Sequence, residues 1–299
     1  MGKAVKIAAT IAAVLLVLAA GGMFWLAGFT ATGPRQTLDE ARAWQHERYD
    51  TSFYDELAEP EYTIEGDGGY LLHAQLLRNS EPTDRYVIIS HGYTDNRMGS
   101  FKYARLYLDL GYNCIIYDLR GHGENEPVPT TYGIREARDL LCVIEDTRER
   151  YPRIAQLGIH GESLGAATTV MSLAYGPAID FAVADCGYAS IEAVLRHGYE
   201  MAGVPAFLFD LADVGCRMRY GFALKDARPI DALDGSSTPI LFIHGADDQF
   251  ILPENSRHMC ERAQGVHAIH LIDGAGHAES ALVAPELYRE YLEEFLSQL

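Results

Sequence analysis

The sequence has few basic side chains. Its 24 Lys and Arg residues are outnumbered by 42 Asp and Glu residues, so the formal net charge is -18. A surface this acidic repels phosphate backbones, and we therefore expect no nucleic acid among the partners. The plainest role of the acidity is to keep the protein soluble.

Cysteine is also scarce, and its spacing is uninformative. None of the five cysteines belongs to a C-x-x-C pair; they are Cys114, Cys142, Cys186, Cys216 and Cys260. The spacing that holds zinc or an iron–sulfur cluster, or that supports dithiol exchange, is therefore absent. We expect no metal and no cofactor, and the sequence leaves the disulfide status of the five residues open.

Charge is missing altogether from residues Ile7 to Phe29. As a helix this run reaches roughly 34 Å, enough to cross a bilayer and longer than the core of a signal peptide. We expect residues 1–30 to be an uncleaved membrane anchor, with a cleaved signal segment as the alternative. Lys3 and Lys6 precede the run, so the chain that follows it is predicted to lie outside the cytoplasm.

The remaining chain divides into an arm and one large domain. Residues 31–60 are polar and aromatic and predict a linker or packing arm, with a helix from Leu38 to Tyr49. Residues 61–299 form the predicted domain, which opens with a hairpin of Tyr62–Ile64 and Tyr70–Leu77 around the turn at 66–69. There is no internal repeat, and the oligomeric state remains open.

Beyond the hairpin, short apolar runs alternate with helical segments. The strand candidates are Tyr86–Ser90, Tyr112–Asp118, Leu157–His160, Phe181–Asp185, Pro239–His244 and Ala268–Ile272. This alternation predicts an α/β fold with a mostly parallel, doubly wound, eight-stranded sheet and helices on both faces. Residues 187–234 interrupt this alternation of strands and helices. We interpret them as a small helical lid over the ligand crevice, the alternative being an ordinary αβ layer with a long loop.

The pentapeptide Gly161-Glu162-Ser163-Leu164-Gly165 stands between a predicted strand and a helical run, Ala166 to Tyr175. A strand-to-helix turn this sharp strains the serine, and the glycines let neighbouring backbone come close. It also directs the start of a helix at the serine oxygen, where developing negative charge is stabilised. Ser163 is therefore the candidate nucleophile.

Two further loops follow strand ends. His244-Gly245-Ala246-Asp247-Asp248 places carboxylates after one strand, and Gly274-Ala275-Gly276-His277 places an imidazole after the last strand. A carboxylate at such a position can hold a histidine in the tautomer that a serine needs. His277 is the candidate base, and Asp185, at the end of an earlier strand, is the alternative source of the carboxylate.

An oxyanion site is expected beside the serine. The turn His91-Gly92-Tyr93-Thr94 can direct the Tyr93 backbone N–H into the crevice together with that of Leu164. An ordinary β-turn is the alternative for residues 91–94. We assign His122 to a structural turn braced by Asp118 and Arg120. His160 and His244 are likewise interpreted as structural.

Together these motifs resemble the α/β-hydrolase superfamily from about Glu61 to Leu299. The segments HGYTDN at 91, YDLRGHG at 117, HGESLGAAT at 160, HGADDQFI at 244 and GAGHAES at 274 are similar to bacterial hydrolases of the serine aminopeptidase and monoglyceride lipase groups. The order serine, acid, histidine is that of the superfamily. The family pattern HGxxDxxV aligns its catalytic aspartate with Asp248, although Ile251 replaces valine and Leu252 stands where proline is common.

The resemblance implies a Ser163–His277–Asp248 triad that cleaves acyl esters of small molecules through an acyl-enzyme, without metal or cofactor. The alternatives are a serine peptidase or an acyltransferase on the same fold. A binding module without catalysis is disfavoured because all three triad residues are present. The acyl chain length and the natural substrate are not determined by the sequence.

Overall fold

The computed structural model describes residues 2–299, and eight of its segments pair into one mixed sheet. The strands are β1 (Tyr62–Glu65), β2 (Leu71–Leu77), β3 (Arg85–Ser90), β4 (Asn113–Tyr117), β5 (Gln156–Glu162), β6 (Phe181–Asp185), β7 (Ile240–Gly245) and β8 (His267–Ile272). Their order across the sheet is β1-β2-β4-β3-β5-β6-β7-β8. Only β1 and β2 run antiparallel to their neighbours, so the predicted hairpin forms one edge of an otherwise parallel sheet.

The central strands are apolar on consecutive residues because both sheet faces are covered. In β3, Ile88 belongs to one core cluster, whereas Val87 and Ile89 belong to the other. Neighbouring side chains in a strand point to opposite faces, so a strand packed on both sides needs no polar alternation. This confirms the predicted α/β class and the doubly wound sheet.

Eleven helices flank this sheet in the described chain. Those contributing to one core are α1 (Lys3–Ala31), α5 (Glu136–Arg150), α6 (Leu164–Ser172), α7 (Ile191–Met201), α8 (Leu208–Tyr220) and α9 (Glu254–Arg262). Those contributing to the other are α2 (Leu38–His46), α3 (Phe53–Leu57), α4 (Phe101–Asp109), α10 (Ser280–Val283) and α11 (Pro285–Leu296). Helix α2 ends three residues before the predicted Tyr49, and α6 begins two residues before the predicted Ala166, directly after Ser163.

The insertion between β6 and β7 contains α7 and α8, followed by short 3-10 turns at Leu224–Asp226 and Pro229–Leu233. Helix α8 buries Phe209, Ala212 and Cys216 against the domain. The segment predicted as a lid is thus helical, and α8 is packed against the domain core.

The apolar N-terminal helix is continuous with the domain. Ala27 and Ala31, in its last turns, are fully buried in the core, while the earlier turns project from it. The chain that follows runs along the loop after β3, where Gly33 N–H donates to the Tyr93 hydroxyl at 3.0 Å and Gln36 N–H to the Thr94 carbonyl at 2.7 Å. The end of the helix is therefore part of the folded domain.

Candidate active site

Ser163 occupies a strained turn between β5 and α6. Its φ of 52° and ψ of -109° lie in a region that L-residues rarely adopt. A Cβ on Gly161 would come within 2.0 Å of the Gly165 carbonyl oxygen, and one on Gly165 would come within 2.0 Å of that of Ser90. Only glycine fits at these two positions, because backbone passes directly over both. Strain of this kind persists only where the surrounding structure enforces it.

The structure brings Ser163, His277 and Asp248 together. Ser163 Oγ lies 3.0 Å from His277 Nε2, and His277 Nδ1 lies 2.7 Å from Asp248 Oδ2. The three residues come from the ends of β5, β7 and β8, which meet at the same edge of the sheet because these strands are parallel. The side chain of His277 is about one quarter exposed, at 24%.

Asp248 and its neighbour Asp247 differ sharply in environment. Asp248 is buried, whereas Asp247 is exposed. Burial alone would raise the pKa of Asp248, but hydrogen bonds with His244 and His277 hold that pKa well below its usual range. Its second oxygen accepts from the Phe250 and Ile251 N–H groups at 2.9 Å each. The carboxylate therefore stays ionised and fixed in orientation.

Asp185, the alternative carboxylate, lies elsewhere in the network. Its backbone carbonyl accepts from Ser163 N–H at 2.9 Å, while its side chain accepts from the Tyr103 hydroxyl at 2.9 Å. Burial and the nearby Glu162 raise the pKa of Asp185 to about 6. The same Tyr103 hydroxyl also lies 2.7 Å from Glu162 Oε2, and its single hydrogen cannot serve both carboxylates fully.

Backbone donors are available beside the nucleophile. Among residues 2–299, neither the Tyr93 N–H nor the Leu164 N–H donates to a protein acceptor. A Cβ on Gly92 would lie 3.8 Å from that of Ser163, so the loop after β3 passes close to the serine. Leu164 is the first residue of α6, whose N–H groups point toward the serine side of the turn.

Two charged residues of the site were missed by sequence reasoning. Lys102, on α4, lies 2.5 Å from Glu162 and donates to the Ala278 carbonyl at 2.7 Å. Despite burial, the Glu162 carboxylate raises the pKa of Lys102. This ion pair fixes the residue after His277, where Ala278 adopts a positive φ of 62°. Glu162 is a variable position of the G-x-S-x-G pattern, and nothing in the sequence around Lys102 marks it.

The other histidines are buried in structural roles. His244 contacts Ser256 at 2.7 Å and the Ile251 carbonyl at 2.7 Å, which secures the loop of Asp248. Burial lowers the pKa of His160 to about 3, so this imidazole stays neutral between tyrosines. Burial also lowers the pKa of His122, whose ring packs against His91.

The turn that contains His122 is braced by more than its own residues. Asp118 accepts from the Glu124 N–H at 3.0 Å and pairs with the buried Arg97 guanidinium at 2.5 Å. Arg120 is not part of that pair and binds Asp139 on α5 at 2.6 Å. Sequence reasoning identified Asp118 and Arg120 but not Arg97, which lies in the loop after β3.

Aromatic side chains surround the catalytic candidates. Tyr93 stacks on Tyr132 with ring centroids 6.0 Å apart, and Phe250 packs edge-on against His277 at 5.1 Å. Helix α7 reaches the Asp248 loop, where His197 Nε2 lies 3.2 Å from the Gln249 carbonyl. In the described residues, no group of three or more His, Cys, Asp or Glu side chains is arranged to hold a metal.

A strained serine after the central strand of a mostly parallel sheet, facing a histidine and a carboxylate from later strands, defines the hydrolase class of α/β folds. The sequence model of the alpha/beta hydrolase family matches residues 87–290, and the chain belongs to that family. Similar curated proteins include the uncharacterized protein YqkD of Bacillus subtilis, 33% identical over 73% of this chain and 72% of that protein. Alpha/beta hydrolase domain-containing protein 17B of Homo sapiens is 29% identical over 73% of this chain and 68% of its own.

Solved structures share the fold at lower identity. An esterase of Pyrococcus furiosus aligns with a TM-score of 0.70 and 22% identity over 90% of this chain and 98% of its own. Est1E of Butyrivibrio proteoclasticus, solved with ferulic acid, aligns with a TM-score of 0.64 and 20% identity over 79% of this chain and 98% of its own. At such identities the likeness shows the fold.

Proposed function

We propose that the protein is a membrane-anchored serine esterase that cleaves acyl esters through Ser163, His277 and Asp248. The hydrogen-bonded chain from Ser163 Oγ to His277 at 3.0 Å, and from His277 to Asp248 at 2.7 Å, carries the proposal. Nucleophile, base and orienting carboxylate are each within hydrogen-bond reach of the next.

In this mechanism His277 Nε2 removes the hydroxyl proton as Ser163 Oγ attacks the ester carbonyl. The tetrahedral intermediate collapses when the protonated His277 gives that proton to the departing alcohol. Water, activated by the same imidazole, then attacks the acyl-serine, and the acid leaves. Asp248 keeps its negative charge throughout and stabilises the imidazolium.

The Tyr93 and Leu164 N–H groups serve as the oxyanion hole. Both are free of protein acceptors among residues 2–299, so each has a hydrogen to donate to the oxyanion. A donor aimed at the developing charge contributes about 3 kcal/mol to the transition state. The helix α6 dipole acts in the same direction.

Esters are favoured over peptides because the carboxylate that precedes the nucleophile in the chain is not available to a substrate amine. Glu162 is buried and paired with Lys102 at 2.5 Å. The walls seen beside the catalytic candidates are aromatic, with Tyr93, Tyr132 and Phe250, and suit an acyl chain. We assign α7 and α8 to a lid over this crevice.

The N-terminal helix is proposed to anchor the protein, with the N-terminus in the cytoplasm. Residues Val5–Ala31 are long and apolar enough to cross a membrane. A signal sequence passes the same criterion, and the intact mass of the purified membrane-fraction protein distinguishes the two. An unprocessed chain supports the anchor.

The test of catalysis is the turnover of p-nitrophenyl esters of increasing chain length by the full chain in detergent, together with labelling by a fluorophosphonate. Ser163→Ala should abolish labelling and reduce kcat by about 10⁶-fold, as loss of a serine nucleophile does. Ser172→Ala, on the same helix and also buried, is the matched control and should retain both. Labelling that survives in Ser163→Ala would overturn the assignment of the nucleophile.

A parallel series of p-nitroanilide amides separates the esterase from a peptidase. Faster hydrolysis of amides than of matched esters would replace the proposed activity with peptide hydrolysis. Product formed only when an alcohol acceptor is added would instead indicate acyl transfer.

A further inference from the structure

Helix α1 has two halves with different surroundings. From Lys3 to Ala19 every side chain that the structure describes is exposed. From Met23 to Ala31 the helix packs along α8, so closely that a Cβ on Gly215 would come within 2.4 Å of the Met23 carbonyl oxygen. Arg219 of α8 also donates to the Phe24 carbonyl at 2.8 Å. The second half is thus bound to the lid region.

The free half is too short to cross a bilayer. The turns before Met23, residues 3–22, cover about 30 Å at 1.5 Å per residue, which only just equals the about 30 Å of a hydrocarbon core. Lys3 and Lys6 belong in the headgroup layer, which leaves the apolar residues 7–22, about 24 Å, for the hydrocarbon. If α1 spans the membrane, its packed half must supply the remaining length, and α8 must enter the lipid with it.

The outward face of α8 is apolar, as a helix surface in contact with lipid requires. Phe207 and three residues of the helix follow one another at spacings of four, three and four, which places them on one line along it. We call this line the apolar stripe; its members are Phe207, Leu211, Val214 and Met218, which are 61%, 37%, 43% and 62% exposed.

Exposed aromatic residues also lie on α1 itself, on the side away from the Ala27 contact with α8. Trp25 and Phe29 are 66% and 68% exposed and stack on each other at 5.7 Å. Aromatic side chains of this kind concentrate where a membrane protein leaves the hydrocarbon. The charged Asp210, by contrast, forms salt bridges with Arg196 at 2.9 Å and with Lys225 at 2.7 Å.

We propose that the apolar stripe is seated in the lipid bilayer, in the leaflet where α1 leaves the membrane. The proposal rests on the proposed membrane span. It places the lid at the lipid surface beside the active site, because Tyr132 donates to the Thr30 carbonyl at 2.6 Å and Tyr93 accepts from Gly33 N–H. The loop that carries the expected oxyanion donor Tyr93 therefore contacts the chain directly after α1.

The test uses tryptophan fluorescence of the full chain in phosphatidylcholine vesicles whose acyl chains carry bromine near the headgroup. The native tryptophans, Trp25 and Trp44, are first replaced by Phe. Met218→Trp then reports on the apolar stripe. Tyr175→Trp is the matched control, because Tyr175 is 53% exposed and lies beyond the far end of α6 from Ser163. Emission from the Met218→Trp reporter should be blue-shifted by the apolar surroundings in plain vesicles and reduced in intensity by bromine, whereas the Tyr175→Trp control should show neither change.

A second variant tests the face itself. Adding Val214→Asp to the Met218→Trp reporter should abolish the bromine quenching while α1 keeps the chain in the vesicle fraction. Quenching that persists in this variant would overturn the proposal. An unquenched Met218→Trp reporter would also overturn the proposal. If a second copy of the chain shields the reporter, sedimentation in detergent would reveal a dimer, and the proposal would likewise be overturned.

Different results would refute the membrane span of α1 and the seating of the apolar stripe in the bilayer. Trp25, kept as the only tryptophan through Trp44→Phe, reports on α1. Quenched Trp25 with an unquenched Met218→Trp reporter leaves the span standing and refutes the seating of α8. A chain that does not sediment with vesicles refutes the span and, with it, the seating.

Discussion

Asp247 and Asp248 are adjacent in the chain and have the same side chain, yet only Asp248 faces a histidine. Asp248 accepts from two backbone N–H groups and lies 2.7 Å from His277, whereas Asp247 is exposed. Asp248→Asn should reduce kcat by about 10⁴-fold, because an amide does not hold the imidazole in the required tautomer. Asp247→Asn is the matched control and should stay within twofold of the parent in ester turnover. Equal losses in both variants would contradict the assignment of Asp248.

Asp185 offers a pH-dependent prediction. Its pKa is about 6 in the folded protein, raised by burial and Glu162 and opposed by Lys102 and the Tyr103 hydroxyl. An acid whose folded pKa is raised favours folding at low pH, and this contribution is lost as pH rises toward 6. From pH 4 to pH 7, Asp185→Asn should therefore gain stability relative to the parent by up to about 3 kcal/mol.

Denaturant unfolding of both proteins at several pH values measures this difference. A difference that is constant from pH 4 to 7 would contradict the raised pKa of Asp185. Ester turnover of Asp185→Asn should persist, since Asp185 does not contact His277; a loss as large as that of Asp248→Asn would revive Asp185 as the orienting carboxylate.

The N-terminal helix and the chain after it combine two elements with different roles. Deleting residues 2–19 removes turns whose described side chains are all exposed and should leave the free energy of unfolding unchanged. Deleting residues 2–37 also removes buried Ala27 and Ala31 and the hydrogen bonds to Tyr93 and Thr94. We expect that deletion to cost about 3 kcal/mol or more.

Thermal or denaturant unfolding of the two truncated chains, with ester turnover alongside, tests the difference. The longer deletion should also reduce turnover, because Gly33 and Gln36 support the loop that carries the Tyr93 N–H. Equal stability of both chains would mean that the end of α1 is dispensable to the domain.

At the scale of the whole molecule, two cores maintain the fold, and residues 2–299 contain no disulfide. All five cysteines are free, with Cys114, Cys186 and Cys216 buried and Cys142 and Cys260 half-buried. Burial raises the pKa of each buried thiol, which keeps it in the unreactive protonated form.

Thiol titration should therefore count five reactive groups in denaturant. In the native protein Cys142 and Cys260 should react first, and reductant should leave the unfolding midpoint unchanged. Fewer than five thiols in the denatured chain would indicate a disulfide that the structure does not contain.

Much of the fold follows from local pattern. Apolar runs such as Phe181–Asp185 predict strands because a strand covered on both faces needs no polar alternation. Gly161 and Gly165 predict the turn around Ser163 because no larger residue fits beneath passing backbone. Strand ends on one edge of a parallel sheet bring Ser163, Asp248 and His277 near one another whatever the helices between them contain.

Contacts between distant segments were decided only by the tertiary structure. Lys102 meets Glu162 and Ala278, and the end of α1 meets α8, across separations that leave no period or motif in the sequence. The sequence by itself determined the α/β class, the serine turn and the candidate catalytic residues, since these depend on local backbone geometry and apolar spacing. The buried ion pair behind His277 and the insertion of α1 into the domain depended on which surfaces meet after folding, because close packing and charge pairing are properties of the assembled chain.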